Sequence, residues 1–449
     1  MAYNKWMELI HALRFTPPST GGQTISLVGA GGKTTAMFKL ARQFTNHCTV
    51  VTAASSHMGV WQLPLADHHI IAASRIDMNT FPKKSITLVT GAIENDRTKP
   101  IDNDILKWLH ESAKERSIPL LIEADGSRQK PIKSPAEHEP SIPDYSDVVV
   151  VVAGLSIIGK TLTDEHVHRP EMFSKVSGLC LNQPITPKQI ITALTHPQGG
   201  LKNIPHNARR IAILNQADTI NLQSLGGEIA QGLLGTFDSV IVGSLQNDFL
   251  RTVEYTAGII LAAGQATRYG SPKQLLDWKG KPFVRYIAET ALHSGLWPVV
   301  VVTGFHSADI ESSLKDLPVQ IVYNPDYKQG QSSSIKTGIA SLPQNVGSAL
   351  FLLADQPQIP GEVIRALVES HTKELQPIIA PLVLEERRAN PVLFDRITFP
   401  YLLQLEGDEG GRALFSKFKV EYIPWHDDLL LLDVDNPEDY QRLVNIENF

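Results

Sequence analysis

Two glycine-rich stretches hold the residue types best suited to chemistry. In S-L-V-G-A-G-G-K-T-T, residues 26–35, Gly29, Gly31 and Gly32 precede Lys33, Thr34 and Thr35. Glycines let backbone N–H groups close on phosphate oxygens, Lys33 adds a full charge, and a Thr hydroxyl is a ligand for Mg2+. Leu27 stands six residues before Lys33 where the longer phosphate-loop pattern has Gly, leaving the shorter form G-x-x-G-K-T-T. In L-A-A-G-Q-A-T-R-Y-G-S-P-K, residues 261–273, Leu261, Ala262, Ala263 and Gly264 lead into Arg268 and Lys273. Two cations on one loop suit a triphosphate, because charge gathers on the pyrophosphate leaving group as a nucleotidyl bond forms. The expected catalytic residues are Arg268, Lys273 and Asp355.

Acidic residues follow several apolar runs. L-L-I-E-A-D-G ends in Glu123 and Asp125, and Asp125 with Thr34 is the expected Mg2+ shell of the first loop. F-L-L-A-D-Q-P carries Asp355, and L-L-L-D-V-D-N-P carries Asp433 and Asp435. Both runs are taken as strands, with Asp355 and Asp435 as Mg2+ ligands and Asp433 as a turn cap. N-Q-A-D at 215–218 is one Lys short of the guanine-reading N-K-x-D, because Gln216 stands in its place, and a plain loop is the stronger reading. His166 and His168 lie two apart, but with 15 histidines in the chain such a pair arises by chance and is not assigned a metal.

Positioning these groups requires strands. β-branched apolar runs begin at residues 24, 49, 86, 120, 147, 211 and 239, and a second series begins at 257, 298, 319, 348, 377 and 419. Near-continuous apolar runs belong to parallel sheets covered on both faces. Between them, Val284, Ile287, Ala288, Ala291 and Leu292 recur at helical spacing. Each series opens with a strand running into a glycine loop, so the expected fold is α/β: two doubly wound, mostly parallel sheet domains, P-loop-like over 1–251 and Rossmann-like over 252–449.

The remaining composition excludes other classes. The 449 residues hold 41 Lys plus Arg against 47 Asp plus Glu, a net charge of -6, which argues against nucleic acid or a membrane surface as partner. The longest apolar run, Val148 to Gly159, is shorter than the about 20 residues that span a bilayer. Only Cys48 and Cys180 are present, no disulfide framework, and a reducing cytoplasm is expected. The opening M-A-Y-N-K-W-M-E-L-I-H-A-L-R-F is expected to be an amphipathic helix, not a signal peptide.

Longer strings carry resemblances. V-G-A-G-G-K-T-T, E-A-D-G-S-R-Q-K-P-I-K-S-P-A-E-H-E-P-S-I-P, V-H-R-P-E and L-N-Q-A-D resemble the YqeC family, described as accessory proteins of selenium-dependent molybdenum hydroxylases. That likeness covers most of residues 20–250 and implies a second nucleotide, ATP or GTP, and a molybdenum hydroxylase apo-enzyme as partner. A departure is T-A-A-S-S-H at 52–57, where the family carries threonines. From about 257 to 443, L-A-A-G-Q-A-T-R-Y-G-S-P-K, L-A-D-Q-P, E-G-D-E-G-G-R and D-V-D-N-P-E-D-Y resemble the MobA-like nucleotidyltransferases, among them molybdenum cofactor cytidylyltransferase. The resemblance implies CTP as substrate, the molybdopterin cofactor as acceptor, Gly330, Ser332, Ser333 and Ser334 near the nucleotide, and Asn390, Gly407, Asp408 and Arg412 near the acceptor. Gln331 and Ala389 depart from its usual Met and Gly. A sugar or polyol phosphate acceptor, or a non-catalytic cofactor carrier, are the alternative readings.

Overall fold

The computed structural model describes residues 7–16, 22–76, 78–264, 272–384 and 387–445. The chain divides into two units, Met1–Val253 and Glu254–Phe449. In the first, nine strands make one sheet: β1 (Thr24–Gly29), β2 (Val50–Ala54), β3 (His68–Ile71), β4 (Ile86–Thr90), β5 (Leu120–Glu123), β6 (Val148–Gly154), β7 (Arg209–Asn215), β8 (Ser239–Ser244) and β9 (Phe249–Val253). Their order is β9-β8-β7-β6-β1-β5-β2-β4-β3, parallel throughout except for β9 against β8.

Central strands explain themselves by composition, since β2, β4, β5 and β6 are buried at every residue and β-branched side chains pack well on a pleated face. Because the neighbours are parallel, the carboxyl ends of β1, β5, β6 and β7 all open on one edge. The sheet thereby gathers the glycine loop, Glu123, Gly154 and Asn215, which are far apart in sequence. Helix α1 (Lys33–Phe44) continues from the loop and buries Ala36, Met37, Leu40, Ala41 and Phe44. Of the expected N-terminal helix, the described residues include the single turn Leu9–Ala12. The edge strands β3 and β9 are absent from the sequence reading: β3 is half exposed and β9 is antiparallel, so neither carries a buried parallel-strand pattern.

The second unit contains β10 (Tyr255–Ala262), β11 (Val299–Thr303), β12 (Gln320–Tyr323), β13 (Val346–Leu353), β14 (Ile378–Val383), β15 (Arg387–Arg388), β16 (Val392–Asp395) and β17 (Val420–Trp425). They are ordered β12-β11-β10-β13-β16-β14-β15, with β17 also paired to β14. β10 to β13 are mutually parallel, and β16 inserts antiparallel between β13 and β14. One face is covered by α2 (Phe283–His293) and α4 (Gly361–Glu374) through Val284, Ile287, Ala288, Val363, Ile364 and Leu367. The other is covered by α3 (Gln331–Ala340) through Ile335 and Ile339. No described helix is long and apolar enough to cross a membrane.

One expected strand is corrected. The run before Asp433 is a short helical turn, Asp428–Leu431, and Asp435 sits in the loop that follows. Polar clamps hold that segment: Gln358 Nε2 donates to the carbonyls of Leu429 and Leu432 at 3.1 and 2.6 Å. A residue whose carbonyl is taken by a side chain is not available to a sheet ladder.

Candidate active-site clefts

The first unit encloses a cleft of about 1240 Å³ at the edge where β1 and β5 end, lined by the glycine loop, Glu123 to Lys130, Trp61, Glu139 and Arg169. Gly29, Gly31 and Gly32 all have left-handed backbone, with φ of 95°, 78° and 125°. A Cβ would strike the Val152 carbonyl from Gly29, the Gly154 and Pro131 backbone from Gly31, and the Asn215 amide from Gly32. These glycines are therefore demanded by the loop's own fit as well as by access for phosphate. Asn215 braces the loop: its Nδ2 donates to the Gly31 carbonyl at 2.7 Å and its Oδ1 accepts from Leu245 N at 2.9 Å. The N-Q-A-D string thus begins with a bracket for the loop. Gln216 Oε1 accepts from Ser156 at 2.6 Å.

Lys33 donates to the Gly29 carbonyl at 2.8 Å and pairs with Asp125 at 3.2 Å, with 2% of its side chain exposed. The Thr34 hydroxyl donates to Glu123 Oε2 at 2.8 Å, so the carboxylate beside Thr34 is Glu123. Asp125, the expected partner, is instead held by Lys33, by Lys133 at 2.9 Å and by the Gly29 N–H. Glu123 is the last residue of β5 and Asp125 lies in the loop beyond it, so the two acids meet different neighbours. Burial pushes the Glu123 carboxyl above its ordinary range, against the pull of Lys33 and Thr34. Thr35 lines the same cleft.

A chain of buried charge continues from this point. Lys133 pairs with Asp125 and with Glu139 at 2.7 Å, and Glu139 accepts from Arg169 at 2.7 and 3.0 Å. Lys33, Lys133 and Arg169 alternate with Asp125 and Glu139, so that each of these two carboxylates lies between two cations, the pairing that burial of charge requires. Burial opposes ionisation of Glu139, but Arg169 and Lys133 outweigh it and hold the carboxyl down at about 2. His168 is pushed down to about 4 by burial and by Arg169, Lys133 and Arg128. His166 faces the Thr161 carbonyl at 3.1 Å, and no metal-holding cluster of His, Cys, Asp and Glu occurs among the described residues.

The second unit has its own cleft of about 540 Å³, lined by Leu261, Ala263, Gly264, Lys273, Gly330, Gln331, Ser334, Asp355, Asp408 and Asp435. Lys273 Nζ donates to Asp355 at 3.1 Å and to Asp435 at 2.8 Å. Three residues that are 82 and 162 positions apart thus meet at one ammonium. Burial draws the Lys273 pKa down, but Asp355 and Asp435 outweigh it and keep it above its ordinary value, so the side chain is charged. Asp433 does not line the cleft; its Oδ1 accepts from Gln356 Nε2 at 2.6 Å, and burial, then Asp355 and Asp435, push its carboxyl up.

Other expected residues separate here. Ala262 is buried behind the cleft wall. Gly330, at φ 103°, could not carry a Cβ without striking the Gly407 carbonyl. Ser332 and Ser333 are tied into the fold, donating to the carbonyls of Gly407 and Gly330 at 2.7 and 2.8 Å, while Ser334 reaches the cleft. Gln331 N donates to Asp408 at 3.3 Å, and Arg412 donates to Asn390 at 3.4 Å. Arg268 lies outside the described residues.

Comparison with known proteins separates the same two units. Residues 25–171 match the YqeC protein family, and residues 258–422 match the MobA-like NTP transferase domain. YqeC of Escherichia coli (strain K12) is 31% identical over 209 residues, spanning 43% of this chain and 75% of that protein. Nicotine blue oxidoreductase of Paenarthrobacter nicotinovorans is 30% identical over 197 residues, 42% of this chain and 95% of that protein. The chain belongs to both families. A probable molybdenum cofactor guanylyltransferase of Bacillus mycoides (strain KBAB4) is also similar, 28% identical over 177 residues, 38% of this chain and 84% of that protein.

The MobA-like unit makes the protein a nucleotidyltransferase. In the YqeC unit, sequence reasoning missed Lys133, Glu139 and Arg169 as a connected group. Their strings K-P-I-K, E-H-E-P and V-H-R-P-E are visible, but their pairing spans 30 residues and depends on the fold. Gln356 was likewise missed, although it sits directly after Asp355.

Proposed function

We propose that the MobA-like unit transfers a cytidylyl group from CTP to the terminal phosphate of the molybdopterin cofactor and releases pyrophosphate. The observation that carries this reading is Lys273, held between Asp355 and Asp435 in a cleft walled by Ala263, Gly264 and Gly330. The acceptor phosphate is already anionic, so the reaction needs no base to remove a proton. Its oxygen attacks the α-phosphorus in line, the new P–O bond forms, and the bond to the β-phosphate breaks.

This chain's residues then act by position and charge. Gly264 and Gly330 let backbone approach the triphosphate, and Lys273 supplies positive charge beside it. Arg268, by its place in the loop, is a second cation for the leaving group. Asp355 and Asp435 already converge on one cation, Lys273, and two carboxylates so placed suit Mg2+, which prefers hard oxygen ligands. Bound there, Mg2+ would neutralise charge on the phosphates. Asn390, Asp408 and Arg412 are assigned to the acceptor.

In the YqeC unit, the 29–35 loop with Lys33, Thr34 and Glu123 is assigned a second nucleoside triphosphate, ATP or GTP, in an accessory role toward a molybdenum hydroxylase. The L-A-A-G and D-Q-P strings favour CTP as donor for transfer, whereas the name of the Bacillus mycoides relative favours GTP. The deciding experiment incubates the protein with Mg2+, molybdenum cofactor and each NTP in turn and measures pyrophosphate. CTP is expected to exceed GTP in kcat/KM by at least about 10-fold, which one or two discriminating hydrogen bonds supply. A preference for GTP overturns the cytidylyl assignment, and the absence of pyrophosphate release with every NTP overturns the transfer.

A further inference from the structure

We propose that Trp61 is the nucleobase platform of the YqeC unit, stacking the base of a nucleoside triphosphate whose phosphates lie on the 29–35 loop. The inference rests on the phosphate reading of that loop and adds the element that would tell a nucleotide from a bare polyphosphate. Trp61 is 55% exposed, although a Trp side chain is normally largely buried, and it lines the same cleft as Lys33 and Thr34.

Its ring is supported rather than loose. A Cβ on Gly59 would run into the indole at Cη2, Cζ2 and Cε2 together, so the ring rests with its face against the Gly59 backbone. Only glycine leaves room for that arrangement. The segment is also fastened to the phosphate loop. Gln62, the next residue, accepts from Gly59 N at 3.0 Å through Oε1 and donates to Thr34 Oγ1 at 3.1 Å through Nε2. Thr34 in turn donates to Glu123. Trp61 thus stands between two anchored residues, with its position set relative to the hydroxyl beside the expected phosphates.

A supported, exposed aromatic face costs little ordering on binding and accepts any base, because every base has a π-face. The cleft, at about 1240 Å³, exceeds the about 300–1,000 Å³ usual for small-molecule pockets and accommodates a whole nucleotide. Recognition by stacking gives weak discrimination among bases and strong discrimination between ATP and inorganic tripolyphosphate.

The test uses the full chain with Lys273→Ala throughout, so that binding is read at the first unit. Calorimetric titration with ATP and, separately, with inorganic tripolyphosphate is compared with and without Trp61→Ala and Trp61→Phe. Trp61→Ala is expected to weaken ATP by about 10- to 100-fold, the effect of losing one stacking contact, and to leave tripolyphosphate within 2-fold. Trp61→Phe should fall between. Unchanged ATP affinity in Trp61→Ala overturns the platform, as does an equal loss for both probes, which would make Trp61 a support for the loop. If Lys33→Ala changes the binding of neither probe, the phosphate reading itself falls and the platform with it.

Discussion

Replacing Glu139 by Gln tests the buried charge chain that joins three separate strings of the YqeC unit. Glu139 accepts two hydrogen bonds from Arg169, at 2.7 and 3.0 Å, and one from Lys133 at 2.7 Å. Gln keeps the volume and one acceptor oxygen but removes the charge, leaving Asp125 as the one carboxylate paired with Lys133, whose side chain is 2% exposed and also donates to the Gly126 carbonyl at 2.6 Å. Breaking a fully buried pair from one side costs about 3–5 kcal/mol. The Glu139 and Arg169 side chains are 17% and 26% exposed, so solvent screening lowers this to about 2–3 kcal/mol. For a unit of this size, about 2–4 °C per kcal/mol gives a fall of about 4–12 °C. Scanning calorimetry of the full chain should show the first unit's transition shifted and the second unit's unchanged.

The pH dependence has a definite sign. In the folded chain the Glu139 carboxyl is held at about 2 against an ordinary 4.5. A depressed folded pKa stabilises above the unfolded value, and that stabilisation is lost as pH falls from about 4.5 toward 2. The difference between wild type and Glu139→Gln should therefore narrow between pH 5 and 3.5. A shift under about 1 °C at pH 7, or a gap that does not narrow on acidification, refutes the reasoning.

Two further outcomes concern the sites. Asp355→Asn should fold normally and lower pyrophosphate release by at least about 100-fold, the scale of losing one electrostatic stabiliser of the transition state; near-normal turnover removes Asp355 from the machinery. Lys33→Ala should abolish nucleotide binding by the first unit yet keep cytidylyl transfer within about 3-fold, and a fragment from about residue 252 to 449 should retain transfer, because each unit has the length of an independent domain. Loss of transfer in Lys33→Ala as complete as in Lys273→Ala would show one composite reaction.

The sequence alone determines what is local. Apolar β-branched runs specify the buried central strands, because a segment covered on both faces has no polar residues to alternate. The glycine loops and the residues that follow them state their chemistry through spacing of a few positions. The alternation of strand and helix implies parallel sheets, and parallel sheets bring strand ends to one edge, so the clefts were foreseeable in outline.

Tertiary structure decided every pairing over longer distance. Nothing near Glu123 or Asp125 in sequence says that Thr34 takes the first and that Lys33 and Lys133 share the second; the packing of β1 beside β5 and β6 does. Ser332 and Ser333 carry the same hydroxyl as Ser334, but the turn of α3 directs only Ser334 to the cleft, while its neighbours bond to Gly407 and Gly330. The apolar run before Asp433 has the composition of a strand and becomes a helical turn, because Gln358 claims its carbonyls from across the fold. Side-chain type is a property of one position, whereas a partner is a property of two, and only the folded chain brings the second into reach.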